Sequence, residues 1–183
     1  VVNAPHCAPE LSSLQLGKRE GKMTNWQQGM SGGCQCGAVR YRFTGKPGGA
    51  SICHCRMCQK AFGSWGAALV SLKAAEFVWT RGKPSEYRSS PPVARGFCAQ
   101  CGTPLYMRDD GDENYDMAIG TLDDPDRTPP TKQVGVESEL KWFRSLAALP
   151  RQETGDYNSP EKLASYRSRQ HPDHDTEAWK PDF

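Results

Sequence analysis

Seven of the eight cysteines fall into three close groups: Cys34-x-Cys36, Cys53-x-Cys55-x2-Cys58 and Cys98-x2-Cys101. Thiols this close can pair as disulfides, clamp a metal, or cycle as redox thiols. A C-x-C disulfide closes a small, strained ring. The N-terminus also lacks an apolar signal-peptide core, so a reducing, cytoplasmic setting is the expectation. There, clustered cysteines more often bind metal than form a disulfide scaffold. A metal-independent oxidoreductase using Cys55-x2-Cys58 stays open at this point; it would need one thiol with a depressed pKa.

The groups divide unevenly. "FCAQCGTPLY" places glycine after a C-x2-C pair, and "CQCG" does the same after C-x-C. Such a zinc-knuckle turn aims two sulfurs and nearby backbone N–H groups at one metal. Two knuckles make a four-thiolate site, the closed type that serves structure. Cys34, Cys36, Cys98 and Cys101 are therefore expected to hold one zinc. "CHCRMC" then keeps three thiols: Cys53, Cys55 and Cys58. Three protein ligands with an exchangeable fourth place is the catalytic pattern for zinc. Soft thiolates favour zinc over magnesium or calcium, with an iron–sulfur cluster as the alternative. In an extended chain His54 points away from Cys53 and Cys55, which makes it a hydrogen-bonding or packing residue rather than a ligand. His171 and His174 form an H-x2-H pair in a polar tail and are expected to be solvated. Cys7 stands alone and is expected to be a spare surface thiol.

These groups need a scaffold to hold them. The chain has 183 residues, 37% of them hydrophobic, and a formal net charge of +2. That length suggests one domain, with no basic stripe for nucleic acid. No apolar run approaches the roughly 18 residues of a membrane span. "VRYRF" at 39–43 alternates like a half-buried strand. "AALVSL", "EFVWT", "SEYRS", "VARGF", "PLYMR" and "YDMAIG" follow, mostly separated by turn-rich text such as "RGKP", "SSPP" and "DDGDEN". This rhythm predicts a mainly β, antiparallel domain. Short helices are expected at "MCQKAF", "SELKWFRSL" and "SPEKLASYRSR", the last capped by Ser159 with Pro160 in its first turn. The expected organisation is a weakly ordered lead-in at 1–22, with Met23 as a plausible native start. A zinc-binding β domain at 23–157 and a helix with a polar tail at 158–183 follow.

The stretches "GGCQCGAVRY", "CHCRMCQKAFGS" and "RGFCAQCGTPLY", with "KWFRSLAALP" after them, resemble the glutathione-dependent formaldehyde-activating enzyme family. That family includes S-(hydroxymethyl)glutathione synthase and the centromere-protein-V-like proteins. The resemblance runs from about Gly32 to about Leu149. It implies several coiled antiparallel sheets with few helices and two zinc ions per chain. By position, the structural zinc falls to Cys34, Cys36, Cys98 and Cys101, and the catalytic zinc to Cys53, Cys55 and Cys58. The implied activity is that of a carbon–sulfur lyase, in which a glutathione-like thiol adds reversibly to an aldehyde such as formaldehyde. One departure is Gln133, which stands where many members carry a histidine. Candidate oxyanion donors are His54 and Ser64. Arg56, Lys60, Arg81 and Arg95 are candidate partners for substrate carboxylates, and Trp65, Trp79 and Phe62 are candidate pocket walls or core. The alternative from another class is a zinc-stabilised binding module without turnover, as in the centromere-type relatives.

Overall fold

A computed structural model describes residues 29–179. The expectations for Cys7, Met23 and the lead-in at 1–22 lie outside the described residues. Ten strands follow in chain order: β1 Met30–Gly33, β2 Arg40–Phe43, β3 Ala50–Cys53, β4 Ala67–Lys73, β5 Phe77–Arg81, β6 Ser85–Ser90, β7 Val93–Phe97, β8 Pro104–Asp109, β9 Asn114–Ala118 and β10 Lys132–Val134. Helix α1, Arg56–Phe62, lies between β3 and β4. Helices α2, Thr154–Tyr157, and α3, Pro160–Ser165, come after β10. The fold is mostly β, in two sheets. One is three-stranded, ordered β1-β2-β5; the other is seven-stranded, ordered β10-β3-β4-β9-β8-β7-β6. Every strand pair is antiparallel except β10 with β3, which is parallel.

The core joins side chains of both sheets. Tyr41 and Phe43 of β2 and Phe77 of β5 share a buried cluster with Leu72, Leu105 and Met117 of the larger sheet. Aromatic rings continue it: Phe77 meets Trp79 edge-on at 4.8 Å, and Tyr106 meets Tyr115 at 4.9 Å. Each such pair contributes about 0.5–1.5 kcal/mol beyond its buried area. Trp79 is thus a core residue rather than a pocket wall. The buried Tyr41 hydroxyl donates to Thr121 Oγ1 at 2.8 Å, and Thr121 donates onward to Ala118 O at 2.7 Å. No polar group of that chain is stranded.

The strands expected from alternation are present. β1, β3 and β10 were not foreseen, being three or four residues long and poor in period-2 signal. The short helix expected around "SELKWFRSL" is a 3₁₀ helix over Phe143–Ala148. Ser159 caps α3 as expected, accepting from Lys162 N at 3.3 Å. The tail departs furthest from expectation. His171 is buried, its N–H donates to Gln35 O at 2.8 Å, and its ring meets Trp179 at 4.9 Å. Trp179 Nε1 donates to Cys36 O at 2.6 Å. Arg40 reaches both Asp123 and Asp175. The polar tail folds over the turn between β1 and β2.

Candidate metal centres

The first centre sits where two turns face each other. Cys34 and Cys36 lie on the turn after β1, and Cys98 and Cys101 on the turn between β7 and β8. Hydrogen bonds shape each turn: Cys34 N to Val39 O at 3.0 Å, and Gly102 N to Cys98 O at 2.8 Å. Gly37, at φ 71°, takes a left-handed conformation that favours glycine. An added Cβ there would also strike His171 of the tail. Across the gap, Gln35 N donates to Thr103 Oγ1 at 3.1 Å, tying one turn to the other.

All four Sγ atoms lie within 4.8 Å of one another. Cys34 and Cys36 are 3.5 Å apart, and Cys36 and Cys98 are 3.8 Å apart. Tetrahedral zinc with sulfur bonds of about 2.3 Å requires sulfurs about 3.8 Å apart. Each described cysteine is free of disulfide bonding. Burial pushes the Cys34 and Cys36 thiols upward despite backbone N–H bonds that lower them. Burial also opposes ionisation of Cys101, but the Thr103 hydroxyl and backbone N–H groups outweigh it and bring that thiol to about 6. Burial therefore favours the neutral form of Cys34 and Cys36, and a cation at the centre would reverse that. The donor set fits a zinc ion.

The second centre is local. Cys53 ends β3, opposite Ala67 of β4. Cys55 is the N-cap of α1, its Sγ accepting from Cys58 N at 3.4 Å. Cys58 lies in the first turn of that helix, three residues on, so it faces the same way as the cap. The three sulfurs lie within 4.8 Å of one another, and no His, Asp, Glu or further Cys among the described residues joins them. Cys53 and Cys55 are half-buried and Cys58 is buried. Burial and the neighbouring sulfurs push Cys53 up to about 12. Burial also raises Cys58, though Arg95 works against it. Cys55 is lowered: burial opposes this, but the N–H of Cys58 and the adjacent thiols prevail. This set fits a zinc ion held by three sulfurs.

His54 stays out of the ligand set. It is fully buried, and its Nε2 pairs with Gln133 Oε1 at 2.7 Å. Nδ1 is left buried and without a partner. Fully buried, His54 presents neither ring nitrogen at the surface. Ser64 is exposed beyond α1, and its N–H donates to Gln59 O at 3.2 Å, as a turn residue does. The His54 ring packs edge-on against Phe143 at 4.5 Å, and Trp65 meets Phe143 at 4.8 Å. Gln59 Nε2 donates to His54 O at 2.6 Å and Ser138 O at 2.8 Å, stapling this loop to the segment after β10. Arg56 donates to Gln59 Oε1 at 2.9 Å. Arg81 is taken up by Gly37 O and the tail residue Thr176. Arg95 donates to Cys58 Sγ at 3.5 Å. Sequence reasoning missed Gln59 altogether. Gln133 drew notice only as a departure from a resemblance. Neither carries a chemical signature of its own.

One concavity lies beside the Gln133–His54 pair and another beside the four-sulfur centre. An open depression of about 600 Å³, lined by Gln133, Val136, Glu139, Phe143 and Arg144, adjoins the Gln133–His54 pair. Another of about 490 Å³ borders Cys34, Cys101 and Arg40. A metal held by all four sulfurs of the first centre has no ligand place left, so that concavity does not reach its chemistry. No helix among the described residues is long and apolar enough to cross a membrane.

Two sheets carrying one four-sulfur and one three-sulfur cluster define a β protein with two sites compatible with zinc. The chain belongs to the glutathione-dependent formaldehyde-activating enzyme family, whose model matches residues 29–138. A Halomonas elongata protein, provisionally named a glutathione-dependent formaldehyde-activating enzyme, is 28% identical over 120 residues. The match covers 61% of this chain and 76% of that one. A crystal structure of a Rhodobacter sphaeroides protein is 21% identical and covers 57% of this chain and 100% of its own, with a TM-score of 0.47.

Proposed function

We infer that the chain is a carbon–sulfur lyase that adds a glutathione-like thiol reversibly to an aldehyde such as formaldehyde. Cys34, Cys36, Cys98 and Cys101 would hold a structural zinc. Cys53, Cys55 and Cys58 would hold the catalytic one. The observation that carries this reading is the three-sulfur cluster with no fourth ligating side chain among the described residues. When bound there, zinc supplies a place that favours the thiolate form of a thiol. In the reaction a sulfur–carbon bond forms as the carbonyl π bond breaks, and the thiol proton passes to the oxygen. The reverse reaction restores thiol and aldehyde.

The protein's share is positioning. Gln59 pins the cysteine loop to the wall that follows β10. Gly135 lies so close that an added Cβ would stand 2.9 Å from Cys55 N. The depression beside Gln133 and Phe143 is large enough for the body of a small peptide thiol. Holding thiol and aldehyde together there gains rate through proximity.

The test compares wild type with Cys55→Ser in a thiol–aldehyde exchange assay across several thiols. The variant is expected to lose at least about 100-fold in rate, consistent with loss of a group that positions the reactants. Equal rates in two folded proteins would favour the non-catalytic binding module.

A further inference from the structure

Arg95 carries a positive charge into the interior with no acidic partner among the described residues. Its side chain is 4% exposed. Nε donates to Ser89 Oγ at 2.9 Å, and Nη2 to Cys58 Sγ at 3.5 Å. Nη1 is buried and has no hydrogen-bond partner. Arg40, buried to the same degree, shows the usual solution: it pairs with Asp123 at 2.6 Å and Asp175 at 2.8 Å. A guanidinium buried without an anion is strongly unfavourable.

The strand partners of Arg95 are Tyr87 on β6 and Met107 on β8. No acidic side chain among the described residues pairs with Arg95: Glu86, beside its strand partner Tyr87, is taken up by Tyr106 at 2.6 Å and Arg108 at 3.2 Å. The cavity of about 200 Å³ that Arg95 lines is walled mainly by Phe62, Tyr87, Phe97 and Tyr106. The sulfur cluster is what remains. Three neutral thiols supply no charge, whereas three thiolates around a divalent cation sum to about −1.

We propose that Arg95 is the counter-charge of the three-sulfur centre and, through it, selects an anionic thiolate as the fourth ligand. This rests on reading Cys53, Cys55 and Cys58 as a zinc site. With Arg95 beside it the centre is neutral overall, so a fourth sulfur brings the local charge to about −1. Without Arg95 the same thiolate meets a centre already negative and takes it to about −2. A neutral ligand such as imidazole meets no such difference. Arg95 acts through Cys58 and is a positioning residue. It also answers a difficulty of three-thiolate zinc: strong donation from sulfur leaves the metal a poor electrophile, and a guanidinium on Cys58 Sγ draws some of that density back.

The experiment uses the full chain loaded with zinc, as wild type, Arg95→Lys and Arg95→Met. Chelator competition reads the affinity of each site. A parallel cobalt-loaded sample is titrated with glutathione and with imidazole, followed by the sulfur-to-cobalt absorption. In Arg95→Met, metal affinity at the three-sulfur site should fall about 10–100-fold, with the four-sulfur site unchanged. Glutathione affinity at the cobalt should fall by a similar factor and imidazole affinity should not, while Arg95→Lys recovers most of both losses. If Arg95→Met yields no soluble protein, Arg95→Gln against Arg95→Lys makes the same comparison. Two zinc ions in wild type and an unchanged Arg95→Met would overturn the role of Arg95 alone. A single zinc in wild type, with Cys53, Cys55 and Cys58 open to alkylation, would overturn the site reading and Arg95 with it.

Discussion

The four-sulfur centre draws on two turns whose cysteines stand 62 residues apart, while the three-sulfur centre comes from six consecutive positions. The first joins β1 to the β7–β8 turn, and the tail folds over it through His171 and Trp179. The second hangs from one strand end and one helix start, with two of its sulfurs half-buried. A metal in the first closes a long loop, so its binding free energy is also folding free energy. A metal in the second closes only a short loop that Gln59 and the cap of α1 already hold. Distance along the chain thus separates a cross-link from a workplace.

The largest expected effect tests that separation directly. Cys101→Ser should give insoluble or unfolded protein. A structural zinc site supplies apparent free energies of about 10–16 kcal/mol, on the scale of a whole domain's stability. Cys55→Ser should stay folded and lose one zinc equivalent, with a stability change of about 2 kcal/mol or less. Circular dichroism melts with metal analysis read both. A soluble, cooperatively melting Cys101→Ser would erase the contrast, and an unfolded Cys55→Ser would reverse it.

Ligand spacing made both centres legible in the sequence, because knuckle turns are local and their glycines are visible. Alternation revealed β2 and the run from β4 to β9 for the same reason. What stayed hidden was assembled at long range. β10 is three exposed residues, and only its parallel pairing with β3 makes it a strand. Arg95 read as a candidate partner for substrate carboxylates within "VARGF", yet β7 lies between β6 and β8 and sinks it. The tail read as solvated because polar residues dominate it. Its few anchors, His171, Asp175 and Trp179, find partners more than 80 residues away.

The tail sharpens the comparison by a smaller step. Trp179 packs on His171 and caps Cys36 O. Trp179→Ala should cost about 1–3 kcal/mol, less than a fully buried Trp because the ring is half-buried. The melting temperature should fall by about 2–4 °C per kcal/mol. Chelator should then strip the four-sulfur centre faster while the three-sulfur centre keeps its rate. An equal acceleration at both would mean that the tail guards the whole domain rather than one centre.

The smallest effect belongs to Asp175. Burial raises its carboxyl, but hydrogen bonds from Arg42 and Arg40 outweigh this and hold it below the ordinary aspartate value. A carboxyl depressed in the folded state adds stability above its unfolded pKa of about 3.9, and that stability is lost as pH falls through the lower folded value. The residue is 33% exposed, so solvent screening leaves about 0–1 kcal/mol. Asp175→Asn should therefore melt slightly below wild type at neutral pH, and the two should converge below about pH 4. Melts in excess zinc across that range check the convergence. A gap that survives full protonation would show that Asp175 holds the tail by shape and hydrogen bonding rather than by charge, leaving Arg40–Asp123 as the charged contact beside the four-sulfur turn.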